Sequence, residues 1–281
     1  MAARAPLARL LGTFTSLGAG RYGASIDASW MQGRTTYGGL SAALCLMGAT
    51  RLLGAEAELP PLRSANIDFI GAAGGDSEVV ASIIRRGRSM SFVRAELFSG
   101  GALATSATFA FGVPRESAVD RCFVPTPPDG LRGPADCDSL FAATSTPPTF
   151  TAHFDARLAR GSGPASGAAD ADADSLVWVR HEGANAGGGV DGVADGVAML
   201  AIADMLPPAM LSHLDTWRPV SSVTWHLNLL DAAPTAEEGG WWLLGSKAAH
   251  ARHGYSSQDM VMWGARGAPV ATGRQMVAIF A

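Results

Sequence analysis

Residues 38–53 read GGLSAALCLMGATRLL, and residues 196–211 read GVAMLAIADMLPPAML. Both stretches open with glycine and continue in small and apolar residues for long enough to form a helix of about four turns. Each is followed by strand-like stretches rich in Val, Ile, Phe and Trp, which Gly and Pro interrupt. The same order of helix and strands therefore occurs twice, and this self-similarity predicts a duplicated domain.

The ends of the two copies also correspond. GGALAT at residues 100–105 corresponds to RGAPVAT at residues 266–272. Each segment predicts a hairpin turn followed by a last strand with alternating side chains. We predict an α+β fold of two tandem units, each an antiparallel sheet wrapped around a central helix. The N-terminal unit is assigned to residues 1–112, a Pro-rich connection to 113–149 and the C-terminal unit to 150–281.

Composition narrows the class of protein. Of the 281 residues 48% are hydrophobic and 16% charged, and the net charge of −4 argues against a nucleic-acid partner. Three widely spaced cysteines predict neither a disulfide framework nor a zinc site and favour a reducing compartment. Because no apolar stretch reaches the roughly 18 residues of a membrane span, we expect no membrane span and a cytoplasmic protein. The first 25 residues carry three arginines and no acid, which leaves organellar targeting open.

Several familiar motifs can be set aside. Residues 18–23 and 240–247 resemble glycine-rich nucleotide loops, but neither has the strand-to-helix context that such a loop needs. Neither the aspartates between 170 and 174 nor His250 with His253 complete a metal-ligand set. The Gly-x-Ser-x-Gly turn of α/β-hydrolases is missing from the sequence. We therefore expect no metal and no cofactor, and if the protein is a hydrolase its nucleophile is water.

Two polar residues, Asp204 and Gln275, stand out against apolar surroundings, and a third, Thr224, lies in a polar row. Asp204 is predicted in the middle of the second helix, where a buried carboxylate needs a partner or a function, although a place on the helix surface is equally compatible. Gln275 shares a strand face with small and apolar residues, so its amide must find a partner, and a core hydrogen bond stays open. Thr224 belongs to a polar row with His226 and Asn228 on strand 221–229, where threonine is also an ordinary strand residue.

Short motifs resemble a known family. RGRSMSF at residues 86–92 resembles the Arg-x-Gly-x-Ser-x-Phe stretch of the TesB-like acyl-CoA thioesterases, and TYGG at 36–39 is similar to their entry to the first central helix. VATGRQ at 270–275 is similar to the family's final strand, which carries a catalytic glutamine. The family's Asp-His-Ser/Thr stretch corresponds to Ser222-Val223-Thr224, so an acid and a histidine are missing here. The resemblance covers roughly residues 25–280.

The resemblance implies a fold and a site. The fold would be a double hot-dog, and Asp204, Thr224 and Gln275 would activate a water that hydrolyses an acyl-CoA thioester. The substrate would be contacted by Tyr37, Gly38, Gly39 and His226, with the Gly38 and Gly39 amides at the oxyanion. We expect a single productive site, because Asn66 and Thr108 align with Thr224 and Gln275 in the first copy.

Alternatives remain at this stage. A non-catalytic acyl-thioester or lipid-binding protein on the same fold is the main rival, since a fold does not fix a function. A hot-dog dehydratase is a weaker option, because neither 38–53 nor 196–211 contains the usual histidine of such enzymes. Acyl-CoA is the expected partner, and both a monomer and a homodimer of double hot-dogs stay open.

Overall fold

The computed structural model describes residues 7–54, 59–142, 144–169, 172–185, 189–231 and 239–280. The α-helices are α1 (Leu7–Gly12), α2 (Gly38–Gly54) and α3 (Asp195–Ala203), and short 3-10 helices lie at Ala28–Trp30, Pro134–Asp136, Thr149–His153 and Ala209–His213. The strands are β1 (Thr15–Gly18), β2 (Arg21–Ile26), β3 (Met31–Gln32), β4 (Thr35–Thr36), β5 (Leu62–Phe69), β6 (Gly75–Arg86), β7 (Met90–Ser99), β8 (Ala102–Gly112), β9 (Phe154–Gly161), β10 (Asp174–His181), β11 (Val220–Leu229), β12 (Trp242–Arg252), β13 (Tyr255–Gly264) and β14 (Pro269–Ile279). The first six residues, part of the segment considered for organellar targeting, lie outside the described ranges. None of the helices in these ranges has the length and apolar character to cross a membrane.

Twelve of the strands form one antiparallel sheet in the order β1-β2-β6-β7-β8-β5-β11-β14-β13-β12-β10-β9. The first half of the chain supplies one side of this order and the second half supplies the other. The two halves join at a seam where β5 pairs antiparallel with β11, with Asn66 opposite His226. The predicted α+β class with two tandem antiparallel units is therefore confirmed.

Helix α2 lies at the centre of the molecule. It packs against β6, β7 and β8 of its own half and against α3 of the other half. Most of its residues are buried, from Gly39 near its start to Leu53 near its end. Small and apolar residues on nearly every side are typical of a helix that has no face in water. The contact of α2 with α3 brings the beginning of one helix to the end of the other.

Helix α3 is shorter than the sequence pattern predicts. It ends at Ala203, so Asp204 is the residue that caps its C-terminus instead of lying in the middle of a longer helix. Pro207 and Pro208 explain the early end, because proline lacks the backbone N–H of a helix interior and its ring clashes with the preceding turn. The chain resumes as the 3-10 helix at Ala209–His213. The two prolines thus place a carboxylate at a helix end, beside the start of α2.

The connection between β8 and β9 is irregular but attached to the second half. The indole nitrogens of Trp178 and Trp263 donate hydrogen bonds to the carbonyl oxygens of Arg132 and Pro125, at 2.8 and 3.0 Å. Near its end, the ring of Phe150 stacks on Tyr37 with 4.2 Å between ring centroids. The connection therefore covers the residues at the start of α2.

Candidate active site

Asp204 is the buried carboxylate at the junction of the two halves. Its side chain is 8% exposed. One carboxylate oxygen, Oδ1, accepts a hydrogen bond of 2.8 Å from Nε2 of Gln275, and the backbone amide of Gly39 donates toward the same carboxylate. Burial raises the pKa of Asp204 from 3.8 to about 7, and these two donors act in the opposite direction without offsetting it. A carboxylate with this pKa can take up and return a proton near neutral pH.

Two glycines allow α2 to approach Asp204 closely. A Cβ atom at Gly38 would lie 2.6 Å from Oδ2 of Asp204 and 3.0 Å from the ring of Phe69. A Cβ atom at Gly39 would lie 2.5 Å from the carbonyl oxygen of Ala201. Both distances are shorter than carbon and oxygen atoms tolerate, so these positions require glycine for space. The start of α2, with the Gly39 amide and the positive end of the helix dipole, thus faces a carboxylate of the other half.

The hydroxyl that joins Asp204 and Gln275 belongs to Ser222. Nε2 of Gln275 donates to Oγ of Ser222 at 3.1 Å. The pairing of β11 with β14 shifts register between Ser222 and Thr224, so Val223 forms a bulge. A bulge reverses the side to which the following residues point. Ser222 therefore faces inward, in the same direction as Gln275.

The prediction that Thr224 joins Asp204 and Gln275 was wrong in its geometry. Thr224 is exposed and lies opposite Met276, which is also exposed, on the outer face of the sheet. The sequence interpretation assumed unbroken alternation along the strand and placed the polar row on the inner side. Because of the bulge, Ser222 is the inward-facing hydroxyl.

Of the four predicted substrate contacts, two lie beside the Asp204 carboxylate and two do not offer a surface to a substrate there. His226 lies on the outer face, where its Nδ1 is 2.6 Å from Oδ1 of Asn66 across the seam, so it does not reach the cleft beside Asp204. Tyr37 is 1% exposed, and its hydroxyl donates to the carbonyl oxygen of Ala201 at 2.7 Å. Tyr37 therefore fastens α2 to α3 instead of offering a surface to a substrate. Gly38 and Gly39 do lie beside the carboxylate.

A narrow cleft opens onto this group of residues. Its volume is about 30 Å³, and roughly 10–15 Å³ is enough for the centre of one water molecule. Its polar part consists of Gln32, Thr151, Asp204, Ser222 and Gln275. The apolar part comes from the connection and from the second half of the chain, and consists of Phe141, Pro148, Phe150, Met205, Leu206, Pro207, Pro208, Trp217 and Val220. The site can hold one or two waters against a carboxylate and an amide.

The first half has lost the equivalent polar residues. In β5 and β8, Leu62 lies opposite Phe111 and Ala65 opposite Phe109, with a bulge between Leu62 and Ser64. In β11 and β14, Ser222 lies opposite Val277 and Trp225 opposite Gln275, with a bulge at the same place. Leu62 and Phe109 are thus the counterparts of Ser222 and Gln275. The sequence alignment with Asn66 and Thr108 was wrong in register, because the strand pairings match Ala65 and Phe109 with Trp225 and Gln275.

Two family models match the chain. The acyl-CoA thioesterase N-terminal domain matches residues 26–112, and the acyl-CoA thioesterase C-terminal domain matches residues 134–279. The chain belongs to the acyl-CoA thioesterase family. The first match ends where the connection begins, and the second begins within the connection at residue 134. The TesB-like resemblance of the short motifs is confirmed.

Solved structures show that this family member has the predicted double hot-dog fold. A conserved protein of unknown function with a hot dog fold from Alicyclobacillus acidocaldarius is 24% identical, with a TM-score of 0.79 over 95% of this chain and 96% of that one. The tesB protein of Mycobacterium avium subs paratuberculosis is 14% identical, with a TM-score of 0.74 over 98% and 100% of the two chains. The acyl-CoA thioesterase II TesB2 of Mycobacterium marinum is 14% identical, with a TM-score of 0.69 over 95% of each. No curated protein matched the sequence.

Sequence reasoning missed two residues of this thioesterase-family site. Ser222 was passed over because a bulge of one residue leaves no signal in an alternating strand. Gln258, which is fully buried, donates from Nε2 to Oε1 of Gln275 at 2.8 Å. A signal was available for Gln258, since a glutamine among the apolar inward positions of β13 needs a partner. Within the described ranges, no cluster of three or more His, Cys, Asp or Glu side chains could hold a metal ion.

Proposed function

We propose that this protein hydrolyses acyl-CoA thioesters to the free acid and coenzyme A. The observation that carries the proposal is the buried Asp204 carboxylate, with a pKa of about 7, held between the Gln275 amide and the start of α2 in a cleft that fits water. Membership of the acyl-CoA thioesterase family supports the same reaction class. The catalytic residues that we assign are Asp204, Gln275 and Ser222.

The carboxylate acts as the general base. A water held by Asp204 and by the Ser222 hydroxyl attacks the thioester carbonyl carbon, and its proton passes to the carboxylate. The carbonyl oxygen gains negative charge, which the Gly38 amide and the positive end of the α2 dipole stabilise. The carbon–sulfur bond then breaks, and the coenzyme A thiolate takes the proton back from Asp204. The reaction needs no group beyond these side chains, the helix end and water.

The acyl chain needs an apolar site near the carboxylate. A small apolar cavity of about 10 Å³ lies between the end of α3 and the sheet. Its lining includes Ala203 and Leu206 at the helix end, and Met260 and Met262 on β13. Methionine side chains are flexible and adapt to irregular ligands. We expect the acyl chain to enter this region by displacing them, so the cavity grows when the substrate binds.

The main rival is an acyl-thioester-binding protein without turnover. A free-thiol assay over a panel of acyl-CoAs of different chain lengths separates the two, because only hydrolysis releases coenzyme A continuously. We expect turnover by the native protein and a loss of about 1,000-fold or more in kcat for Asp204→Asn, since general-base catalysis and water orientation both depend on the carboxylate. Saturable binding of acyl-CoA without thiol release by the native protein would overturn the proposal. Equal turnover by Asp204→Asn would overturn the assigned mechanism.

A further inference from the structure

Gln258 lies one strand away from the cleft. It belongs to β13 and is the direct cross-strand partner of Gln275 on β14, while the cleft is lined by Gln275 and by Ser222 of β11. Gln258 is fully buried, and Met260 and Met262 on the same face of β13 are buried as well. A second amide in such surroundings is costly unless each of its polar atoms has a partner.

Both ends of the Gln258 amide are bonded. Its Oε1 accepts a hydrogen bond of 3.0 Å from the backbone N–H of Ala209, and its Nε2 donates to Oε1 of Gln275 at 2.8 Å. Gln275 in turn donates from Nε2 to Oδ1 of Asp204 at 2.8 Å and to Oγ of Ser222 at 3.1 Å. A continuous chain of hydrogen bonds therefore runs from the backbone at Ala209 to the carboxylate.

The direction of every bond in this chain follows from its first member. A backbone N–H can only donate, so the atom of Gln258 that faces Ala209 must be its oxygen. The nitrogen of Gln258 must then face Gln275, which has to present its own oxygen to it. Only the nitrogen of Gln275 remains for Asp204 and Ser222. The amide of Gln275 is thus fixed in the orientation that offers donors to an ionised carboxylate.

We propose that Gln258 is a positioning residue that fixes the orientation of the Gln275 amide and thereby keeps Asp204 in the form that accepts a proton from water. Its effect on turnover rests on the function proposed above. Without the Gln258 donor, the Gln275 amide can turn over and present its oxygen to Asp204. Two acceptors then face each other, which disfavours the ionised carboxylate and raises its pKa. Buried amide networks of this kind are effective only when every member is satisfied.

The other ionisable groups near Asp204 do not fix the orientation of the Gln275 amide. Tyr37 at the start of α2 interacts electrostatically with Asp204, and burial together with this carboxylate raises the pKa of its hydroxyl. His181 on β10 contacts the carbonyl oxygen of Ala198 on α3, and burial lowers its pKa to about 4, so its ring is neutral near neutral pH. His153, in the short helix that covers the cleft, contacts the Ser29 hydroxyl at 2.9 Å. The faces that β11 and β14 turn toward Asp204 contribute the uncharged Ser222 and Gln275.

Two substitutions of Gln258 test this relay, by which we mean the chain of hydrogen bonds from Ala209 through Gln258 and Gln275 to Asp204. Gln258→Met and Gln258→Leu each remove both hydrogen bonds and add neither a charge nor a new donor. The matched control is Ser256→Ala, because Ser256 lies two residues away on the same face of β13 and its buried hydroxyl has no hydrogen-bond partner among the described residues. The midpoint of Asp204 protonation is followed by carbon NMR of labelled aspartate, with Asp204→Asn identifying the signal. The pH dependence of kcat and KM for an acyl-CoA is measured in parallel.

We expect both Gln258 variants to raise the Asp204 midpoint by about one pH unit or more, and Ser256→Ala to leave it unchanged. At pH 7 kcat should fall about fivefold or more in both variants, because a rise of one unit from a midpoint near 7 lowers the ionised fraction of Asp204 by about that factor. KM should stay within about threefold, and kcat should recover as the pH rises through the new midpoint. A folded Gln258 variant with the native midpoint would overturn the relay. The NMR midpoint is independent of turnover, so absence of thioesterase activity in the native protein would refute the proposed function and leave the relay open to this measurement.

Discussion

Ser222 and Thr224 are two hydroxyl residues on one strand with opposite environments. Ser222 Oγ lies 3.1 Å from Nε2 of Gln275 inside the cleft, and Thr224 is exposed on the outer face. The family resemblance selected Thr224, and residue pattern alone would have selected neither. The reason is physical, because a bulge at Val223 changes which side chains face inward without changing the sequence pattern that precedes or follows it.

This pair allows a direct test of the site. We expect Ser222→Ala to lower kcat/KM by roughly 10- to 100-fold, because a lost hydrogen bond to a buried donor costs about 1–3 kcal/mol. Thr224→Ala removes the same hydroxyl from the outer face and should change kcat/KM by less than about twofold. Steady-state thiol release under identical conditions gives both values. A larger fall in kcat/KM for Thr224→Ala than for Ser222→Ala would show that Thr224, and not Ser222, is the catalytic hydroxyl.

Asp204 predicts a trade-off between activity and stability. Because its pKa in the folded protein is about 7 and its ordinary value is 3.8, the folded state binds this proton more tightly than the unfolded state does. The stability contributed by the protonated carboxyl is fully present below pH 3.8 and is lost as the pH rises through about 7. The loss at pH 8 is on the order of 4 kcal/mol at most.

Asp204→Asn should therefore be more stable than the native protein at pH 8, because asparagine keeps an oxygen for Gln275 and has no charge to bury. The difference should shrink toward zero as the pH falls to about 4. Denaturant unfolding at a series of pH values measures it. Asp68→Asn is the control, since Asp68 is an exposed aspartate on the seam. A native protein more stable than Asp204→Asn at pH 8 would contradict the burial argument.

At the scale of elements, the site is the meeting of two helix ends. The apolar runs in the sequence predicted both helices, and the paired glycines were correctly predicted to lie at the start of α2. It did not place the end of α3 correctly, although Pro207 and Pro208 gave the signal that the helix stops. The closeness of α2 and α3 could not be predicted, because it depends on contacts between residues more than 150 positions apart, such as the Tyr37 hydroxyl with the carbonyl oxygen of Ala201.

Gly39 tests how much this contact matters. An added methyl group would lie 2.5 Å from the Ala201 carbonyl oxygen and 2.5 Å from the Tyr37 hydroxyl, so Gly39→Ala should push the helices apart. We expect a loss of roughly 1–3 kcal/mol in the free energy of unfolding, together with a fall in turnover as the Gly39 amide leaves Asp204. Gly54→Ala is matched to it, because Gly54 ends the same helix and, among the residues that the structure describes, no atom lies within 4 Å of an added Cβ. Equal free energies of unfolding for the two variants would show that α2 and α3 can accommodate the added methyl group without moving apart.

The whole molecule is a duplicated unit in which the cleft with the buried polar residues lies at the end of α3, in the second half. The duplication was readable from the sequence, because the helix and strand patterns repeat along the chain. The asymmetry was readable only in outline, since the residues that replace the polar set in the first half are Leu62 and Phe109 instead of the aligned Asn66 and Thr108. Knowing the strand pairing is necessary to find them.

This asymmetry predicts the number of substrates that one chain binds. The first-half counterparts of Ser222 and Gln275 are a leucine and a phenylalanine, which offer no hydrogen bond to a water or a thioester. We therefore expect calorimetric titration with an acyl-CoA thioether, which cannot be hydrolysed, to give one binding site per chain. Gln275→Phe reproduces in the second half the residue of the first half, and it should abolish turnover while the protein stays folded, because phenylalanine removes the donor to Asp204 and puts an apolar ring in its place. Two equivalent sites per chain in the native protein would mean that binding does not require the polar set, and that the first half has kept a function of its own.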